Sequence, residues 1–267
     1  MLSKLMKQDY LSTRRLFFPS YLVFIVIALM NKLMLELGGN SVVPTKAMDV
    51  FTVICMTLYI ISIVSLYAIT YVFICMHFYR TMSGEQGYLT HTLPVKTGKI
   101  LNSKILSSIL WQLLTFALII ISLLIMITGH TDGMTFSELL DRYNDFVRAE
   151  MFMEPSVFNL EMAITFIIGL FSGPLMFYCA IAIGHLFNKH KVGGAVIAYI
   201  GIYMIMQMLS TILLFISGFF TIAFTQQPNF YLVYNKLMIY SVILTLITTI
   251  AFYFITEYIF KKRLNLE

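Results

Sequence analysis

Residues 50–76 read VFTVICMTLYIISIVSLYAITYVFICM, an apolar stretch that contains no charged side chain. A transmembrane helix needs about 20 largely apolar residues, because each adds about 1.5 Å toward a hydrocarbon core that is about 30 Å thick. The alternation of polar and apolar residues that is typical of a barrel strand is absent, so a helix is the expected form. The stretch therefore predicts a membrane-spanning helix.

The rest of the chain follows the same pattern and predicts an all-α membrane protein. Of the 267 residues, 59% are hydrophobic and 12% are charged, and the mean hydropathy is +0.85. Soluble domains carry about twice this charged fraction, so the composition excludes most soluble enzymes, disordered chains and nucleic-acid-binding proteins. The three cysteines lie in apolar runs and are too few for a disulfide framework. The whole chain, residues 1–267, is predicted to form one transmembrane domain. Its six predicted transmembrane helices cover residues 16–34, 50–77, 105–128, 162–187, 192–217 and 237–260.

The basic residues are distributed unevenly between the two sides of the predicted membrane. Of the 18 Lys and Arg residues, all but five lie in the two termini and in the connections that follow the second and fourth spans. An excess of Lys and Arg is typical of cytoplasmic segments, so both termini are predicted to be cytoplasmic. The five exceptions on the outer side are Lys32, Lys46, Arg142, Arg148 and Lys236.

The inner connection between spans two and three, residues 78–104, is the most informative segment. Ser83-Gly-Glu-Gln86 fits a capping box, Leu89 and Leu93 share a helical face, and Pro94 ends the pattern. We therefore predict a short helix of about ten residues across the inner membrane surface. An interfacial helix that only anchors the bundle is the alternative. The side chains predicted to face the cytoplasm are Glu85, Gln86, Tyr88, His91 and Thr92.

This connection resembles a segment of a known family of membrane proteins. Residues 78–95 read FYRTMSGEQGYLTHTLPV, and bacterial ABC-2 type permeases often read Asp/Glu-x-Gly-Tyr-Leu-Thr-x-Thr-Leu-Pro-Val at the corresponding place. Those permeases are the membrane subunits of ABC exporters. The likeness is dense over this one loop, and the six-span layout agrees with it.

The resemblance implies a function, partners and a location. It implies that the loop is a coupling helix that docks into a separate cytoplasmic ATPase subunit, and that a basic helix precedes the first span. Two ATPase chains and two permease chains, either two copies or one copy and a sister subunit, would then form the transporter in the bacterial plasma membrane. The residues assigned to ATPase coupling are Ser83, Glu85, Gln86, Gly87, Tyr88, Leu89, Thr90, His91, Thr92, Leu93 and Pro94.

The chain lacks the motifs that would make it an enzyme. Its only Gly-Lys pair is Gly98-Lys99, with Leu93 and Ile100 where a phosphate loop needs Gly and Ser or Thr. We therefore expect no catalytic residue and no cofactor in this chain, with ATP and magnesium bound by the partner ATPase. His185 and His190 lack the spacing of a metal site, and no metal is expected.

The predicted span interiors also lack a cluster of ionisable groups, such as an intramembrane enzyme or an ion-coupled transporter would hold. This scarcity of ionisable groups favours a mechanism in which the energy for transport is supplied through a contact on the cytoplasmic side. Glu257, near the inner end of span six, is interpreted as an ion-pair partner of Lys261 and Lys262.

Two other segments outside the spans have helical patterns. In the outer connection, residues 129–161, apolar residues recur at three- and four-residue intervals from Phe136 to Val147 and predict an amphipathic helix that Pro155 would end. This helix covers the span ends or forms a vestibule for substrate. Residues 1–15 are expected to form a short helix on the inner surface.

Neutral side chains in span five offer a candidate substrate path. Tyr199, Tyr203, Gln207 and Ser210 share one helical face, and in the permeases that the chain resembles, spans two and five line the pathway. The path would suit an amphipathic peptide or a lipid-like molecule; ordinary helix packing is the alternative. Glycine pairs in span four (Gly169, Gly173) and span five (Gly193, Gly194, Gly201) suggest close helix approach, although glycine is common in membrane helices.

The most direct interpretation is thus a permease subunit of an ATP-driven exporter, with membrane lipids as its surroundings and no nucleic acid as a partner. An ion-coupled or passive secondary transporter is the first alternative. A membrane-embedded enzyme is another alternative, as is a scaffold or immunity-type membrane protein with no transport cycle.

Overall fold

The computed structural model describes residues 2–39, 46–84, 87, 92, 95–127, 136–150, 153–187, 190–224 and 230–262, and within these ranges the secondary structure is helical. Six of the helices are long and apolar enough to cross a membrane, which confirms the six predicted spans and a multi-pass architecture. The part of the chain that the structure describes contains seven helices whose bounds are defined: α1 (Leu2–Gly39), α2 (Lys46–Met82), α3 (Thr97–Ile127), α4 (Phe136–Glu150), α5 (Pro155–Gly184), α6 (Lys191–Phe224) and α7 (Phe230–Lys262).

The helices extend beyond the apolar stretches that predicted them. Residues 2–15 do not form a separate surface helix, because α1 is one continuous helix from Leu2 to Gly39. Pro19 lies inside α1 and does not end it, and Ser12 and Thr13 donate hydrogen bonds to the carbonyl oxygen of Asp9 (2.8 and 2.7 Å) as they do inside helices. Hydropathy marks the part of a helix that can lie in lipid and not the points where the helix begins and ends.

Residues 1–78 and 102–134 form one compact unit, built from α1 and most of α2 and α3. Hydrogen bonds between side chains of different helices run along its interior: Tyr59 to Ser122 (2.8 Å), Tyr21 to Thr115 (2.9 Å) and Thr70 to Thr115 (3.0 Å). Such neutral polar pairs hold membrane helices together, since lipid offers these groups no partner.

The single tryptophan, Trp111 on α3, lies at the centre of this unit. Its ring stacks on Phe17 with a centroid distance of 4.1 Å and on Tyr10 at 5.0 Å. Its indole N–H donates to the hydroxyl of Thr13 over 2.9 Å. Three residues of α1 therefore hold one buried aromatic side chain of α3, which defines how these two helices pack.

Residues 79–101 and 135–267 form a second compact unit, in which α5 packs extensively against both α6 and α7. Glycines permit the close approach of α5 and α6: a Cβ atom on Gly184 would lie 2.3 Å from the backbone nitrogen of Ala195, and one on Gly194 would lie 2.6 Å from the Phe187 ring. Gly169 and Gly201 have open space where a Cβ would be, so the prediction of close packing is right for Gly194 and wrong for these two.

The predicted amphipathic helix between spans three and four is present as α4, which belongs to the second unit. Val147 is buried, and the hydroxyl of Tyr143 donates to Asn159 of α5 over 2.5 Å. The prediction that Pro155 ends this helix is wrong, because Pro155 begins α5. The fixed φ of proline suits the first turn of a helix, where an N–H has no intrahelical partner.

Candidate functional site

The segment that carries the family resemblance follows directly after α2. The N–H groups of Ser83 and Gly84 both donate to the carbonyl oxygen of Tyr79 (2.9 and 2.8 Å), which closes the last turn of α2. Gly87 is helical and buried, and its N–H donates to the carbonyl oxygen of Gly84 over 2.8 Å. Thr92 is exposed. The remaining assigned residues lie outside the described residues: Glu85, Gln86, Tyr88, Leu89, Thr90, His91, Leu93 and Pro94.

The capping role of Ser83 stays a prediction. Its side chain is buried, and its hydroxyl has no hydrogen-bond partner within the part of the chain that the structure describes. The backbone N–H that it was predicted to cap belongs to Gln86, which lies outside that part. The short helix over 83–94 is therefore placed by sequence, with Gly87 as its one residue seen in helical form.

The far end of the segment meets the C-terminal part of α7. α3 begins at Thr97, and the carbonyl oxygen of Lys96 accepts the N–H of Lys99 over 2.9 Å. A Cβ on Gly98 would lie 2.7 Å from Oε1 of Glu257, so the carboxylate rests against the first turn of α3. A negative charge there is favoured by the unpaired N–H groups and the dipole of the helix.

This position corrects the interpretation of Glu257 as an ion-pair partner. No ion pair joins Glu257 to Lys261 or Lys262, all three of which the structure describes. Instead, Lys262 lies over the ring of Tyr258, with its Nζ 5.2 Å from the centroid. The spacing between Glu257 and the lysines suggested pairing within one helix, whereas the carboxylate contacts a different helix that lies far away in sequence.

A buried cluster of charged and polar side chains joins α1, α2 and α3 in the first unit. The carboxylate of Asp9 is its centre: one oxygen contacts Nζ of Lys104 and lies 3.2 Å from Nε2 of His77, and the other accepts the hydroxyl of Ser103 over 3.1 Å. Nζ of Lys104 also lies 3.5 Å from Nε2 of His77. We call Asp9, His77, Ser103 and Lys104 the buried ionic cluster.

The buried ionic cluster is largely shielded from solvent. Asp9 and Lys104 are each 6% exposed, and Ser103 is 1% exposed. Burial of a charged side chain is costly unless it is paired and hydrogen-bonded, and here the carboxylate contacts three donors. The cluster therefore fixes the ends of three helices to one another: His77 is less than two turns from the end of α2, and Lys104 is two turns into α3.

The cluster was not predicted from the sequence because its members lie at positions 9, 77, 103 and 104, far apart in the chain and near the ends of apolar stretches. His77 is the last residue of the second predicted span, and Lys104 is one of several basic residues in the inner connection, so neither position indicates a partner. A signal was nevertheless present. Asp9 is an acidic residue in a basic segment, and a lone acid beside an apolar stretch calls for a basic partner on a neighbouring helix.

The residues predicted to line a substrate path are on α6 in the second unit. Tyr199 is half-buried and stacks on Phe177 of α5, with ring centroids 4.7 Å apart. Tyr203, Gln207 and Ser210 are exposed, and the Ser210 hydroxyl donates to the carbonyl oxygen of Met206 in its own helix. Three of the four side chains therefore remain open to lipid, a second chain or a substrate, and only Tyr199 packs within the helix bundle.

Among the described residues, no group of three or more His, Cys, Asp or Glu side chains is arranged to hold a metal ion. No family model, no characterised protein and no solved structure matches this chain. The loop sequence and the geometry around it are therefore the features that bear on function.

Proposed function

We propose that the chain is the transmembrane permease subunit of an ATP-driven exporter of the ABC-2 type, coupled to a separate ATPase in the cytoplasm of a bacterium. The observation that carries this proposal is the sequence of residues 78–95, which follows the coupling-segment pattern of such permeases. The six apolar helices supply the architecture that such a subunit needs.

The geometry at the two ends of the segment supports a mechanical role. A segment can transmit displacement only if the helices that flank it move as stiff elements, and close-packed, hydrogen-bonded helices are stiff. α2 is tied to α1 through His77 and Asp9, and α3 is tied to α1 through Lys104 and Asp9. A displacement of the segment would therefore move α1, α2 and α3 together and would not only bend the end of one helix.

The proposal is tested with purified chain in nanodiscs together with the ATPase that copurifies with it. Leu89 and Leu93 form the predicted apolar face, and burial of each side chain is worth about 1.5–3 kcal/mol. Leu89→Ser with Leu93→Ser should abolish substrate-stimulated ATP hydrolysis while the chain still inserts and folds.

A matched control removes apolar side chains elsewhere. Leu140 and Phe146 are exposed on α4, so Leu140→Ser with Phe146→Ser should leave stimulated hydrolysis unchanged. If no ATPase copurifies, or if the Leu89/Leu93 double variant transports and hydrolyses ATP like the unchanged protein, the exporter proposal is wrong.

The path along α6 is tested by labelling single cysteines. The proposal expects cysteines at Tyr203 and Gln207 to react with a water-soluble maleimide in the assembled transporter. Ile205 and Ile212 are also exposed, but they lie on another side of the same helix and serve as lipid-facing controls. Equal labelling at all four positions would remove α6 from the path.

A second candidate function is favoured by one observation, the buried ionic cluster. Titratable groups buried among membrane helices are typical of proton-coupled transporters. If the chain is such a transporter, substrate movement should follow a pH gradient in vesicles without any ATPase, and Asp9→Asn should abolish it. If the chain is an exporter subunit, vesicles without ATPase should show no gradient-driven movement.

A further inference from the structure

Four exposed lysines lie at two helix ends of the second unit. They are Lys96 and Lys99 at the start of α3, and Lys261 and Lys262 at the end of α7. None of them takes part in an ion pair with another residue that the structure describes. Their charges are therefore available to a ligand.

The contact between Glu257 and Gly98 brings these two helix ends together. Oε1 of Glu257 would lie 2.7 Å from a Cβ on Gly98, and the hydroxyl of Tyr253, one turn earlier on α7, would lie 3.6 Å from it. Lys99 follows Gly98 directly, and Lys261 is one turn beyond Glu257, about 6 Å away along the helix surface. Lysines of both helices therefore flank one point of contact, and we call the four the lysine cluster.

Positive charge dominates at this contact. Residues 95–101 and 250–262 contain a single acidic residue, Glu257. Its carboxylate lies against the first turn of α3, whose unpaired N–H groups offset the negative charge. The helix dipole is positive at the start of α3 and negative at the end of α7, so the two partial charges largely cancel. Four ammonium groups are thus matched by one carboxylate, and the surface favours an anion.

An apolar surface adjoins the lysine cluster on α7. Phe254 is 62% exposed, and it lines an open cavity of about 470 Å³ together with Ile255, Glu257, Tyr258 and Lys261. Phe254, Tyr258 and Lys261 recur at four- and three-residue spacing, so they share one face of the helix. α7 is long and apolar enough to cross a membrane, so this face passes from lipid to the charged end within two turns.

We propose that the lysine cluster and the cavity beside it bind an anionic phospholipid, with the phosphate between Lys99 and Lys261 and an acyl chain along Phe254. This end of the helices is predicted to be cytoplasmic, and basic pockets on that side of membrane helices bind anionic lipid head groups. A soluble phosphate would use the lysines but not the apolar ring. A protein partner would have to reach into the lipid to cover Phe254. This inference does not depend on the proposed exporter function.

The test compares two photoactivatable lipids on the full chain in phosphatidylcholine vesicles. One probe is a phosphatidylglycerol and the other a phosphatidylcholine, with the reactive group at the same position of the same acyl chain. Labelled residues are located by mass spectrometry. Phosphatidylglycerol should label residues 254–262 at least about fivefold more than phosphatidylcholine, the ratio expected for one lysine near an anionic head group. Added sodium chloride should lower this preference, because salt screens exposed charges.

Substitutions of lysines make the result specific. Lys99→Gln with Lys261→Gln should bring the two probes to nearly equal labelling, whereas Lys99→Arg with Lys261→Arg keeps both charges and should retain the preference. Lys236→Gln is the matched control for Lys261→Gln. Lys236 is exposed on the same helix, about 38 Å from Lys261, so its loss changes the net charge equally but should leave the preference unchanged.

Three results would overturn the proposal. Equal labelling by the two lipids in the unchanged protein is the first, and it is the result expected if a copurifying protein covers the lysines. The second is an equal loss of preference in Lys236→Gln and Lys261→Gln, because the attraction would then come from the charge of the whole chain. The third is displacement of phosphatidylglycerol by glycerol phosphate at matched ionic strength, which would identify a soluble anion as the ligand.

Discussion

Neutralising the carboxylate of Asp9 should destabilise the first compact unit more than any change at an exposed charge. Asp9→Asn keeps the shape of the side chain but leaves the ammonium of Lys104, which is 6% exposed, without its counter-charge. The amide also presents a donor where Ser103 and His77 approach the carboxylate. Removal of one partner from a buried ion pair costs about 3–5 kcal/mol.

The free energy of unfolding is measured in mixed micelles with increasing SDS, followed by tryptophan fluorescence. Trp111 is the single tryptophan of the chain and stacks on Phe17 and Tyr10 in the same unit, so it reports on this part of the fold. The matched control is Glu36→Gln in the same unit. The ion pair of Glu36 with Lys32, at 3.6 Å, leaves the Glu36 side chain 48% exposed, and such pairs contribute about 0–1 kcal/mol.

The double variant Asp9→Asn with Lys104→Met separates pairing from burial. It removes both charges, so it should be more stable than Asp9→Asn alone, and a double-mutant cycle should give a coupling energy of at least about 2 kcal/mol. If Asp9→Asn costs no more than Glu36→Gln, or if the two substitutions are additive, the buried ionic cluster does not hold the helices together and does not stiffen the helices that flank the segment.

Other changes test the packing of each unit. Thr13→Val keeps the shape of the side chain but leaves the buried indole N–H of Trp111 without its acceptor, and it should lower the free energy of unfolding by about 1–3 kcal/mol, measured in the same SDS titration. Gly184→Ala places a Cβ against the backbone of Ala195 and should lower the thermal unfolding temperature measured by circular dichroism. Gly169→Ala, in open space on the same helix, should leave it unchanged or raise it, since alanine favours helix by about 1 kcal/mol. A similar loss in both glycine variants would contradict the close approach of α5 and α6.

Hydropathy predicted the number of spans because the cost of unpaired backbone groups in lipid leaves a long apolar stretch few alternatives to a helix. Hydropathy did not predict where the helices begin and end. α1 begins at Leu2 and α5 at Pro155, since a helix continues through polar residues until something breaks it. Periodicity predicted α4, whose apolar stripe contains the buried Val147.

Contacts between residues that are distant in sequence were beyond the reach of such patterns. Asp9 contacts residues 68 and 95 positions away, and no local spacing connects them. Glycine spacing was similarly weak: Gly169 and Gly173 are four apart as in packing motifs, yet the tight contact forms at Gly184, where α5 ends and the chain turns back. A motif states that close packing is sterically possible, whereas the neighbouring helix decides where it occurs.

The buried polar atoms of the first unit show why Asn31 is a meaningful exception. Asp9, Thr115 and Trp111 are all buried, and each has a partner on another helix. Lipid provides no hydrogen bonds to compensate for an unpaired group, so a polar side chain in a membrane helix is retained when it has a partner or a function. Oδ1 of Asn31 is buried and has no hydrogen-bond partner in the described part of the chain. A leucine at this position would leave no unpaired acceptor and should therefore cost the fold less than the asparagine does.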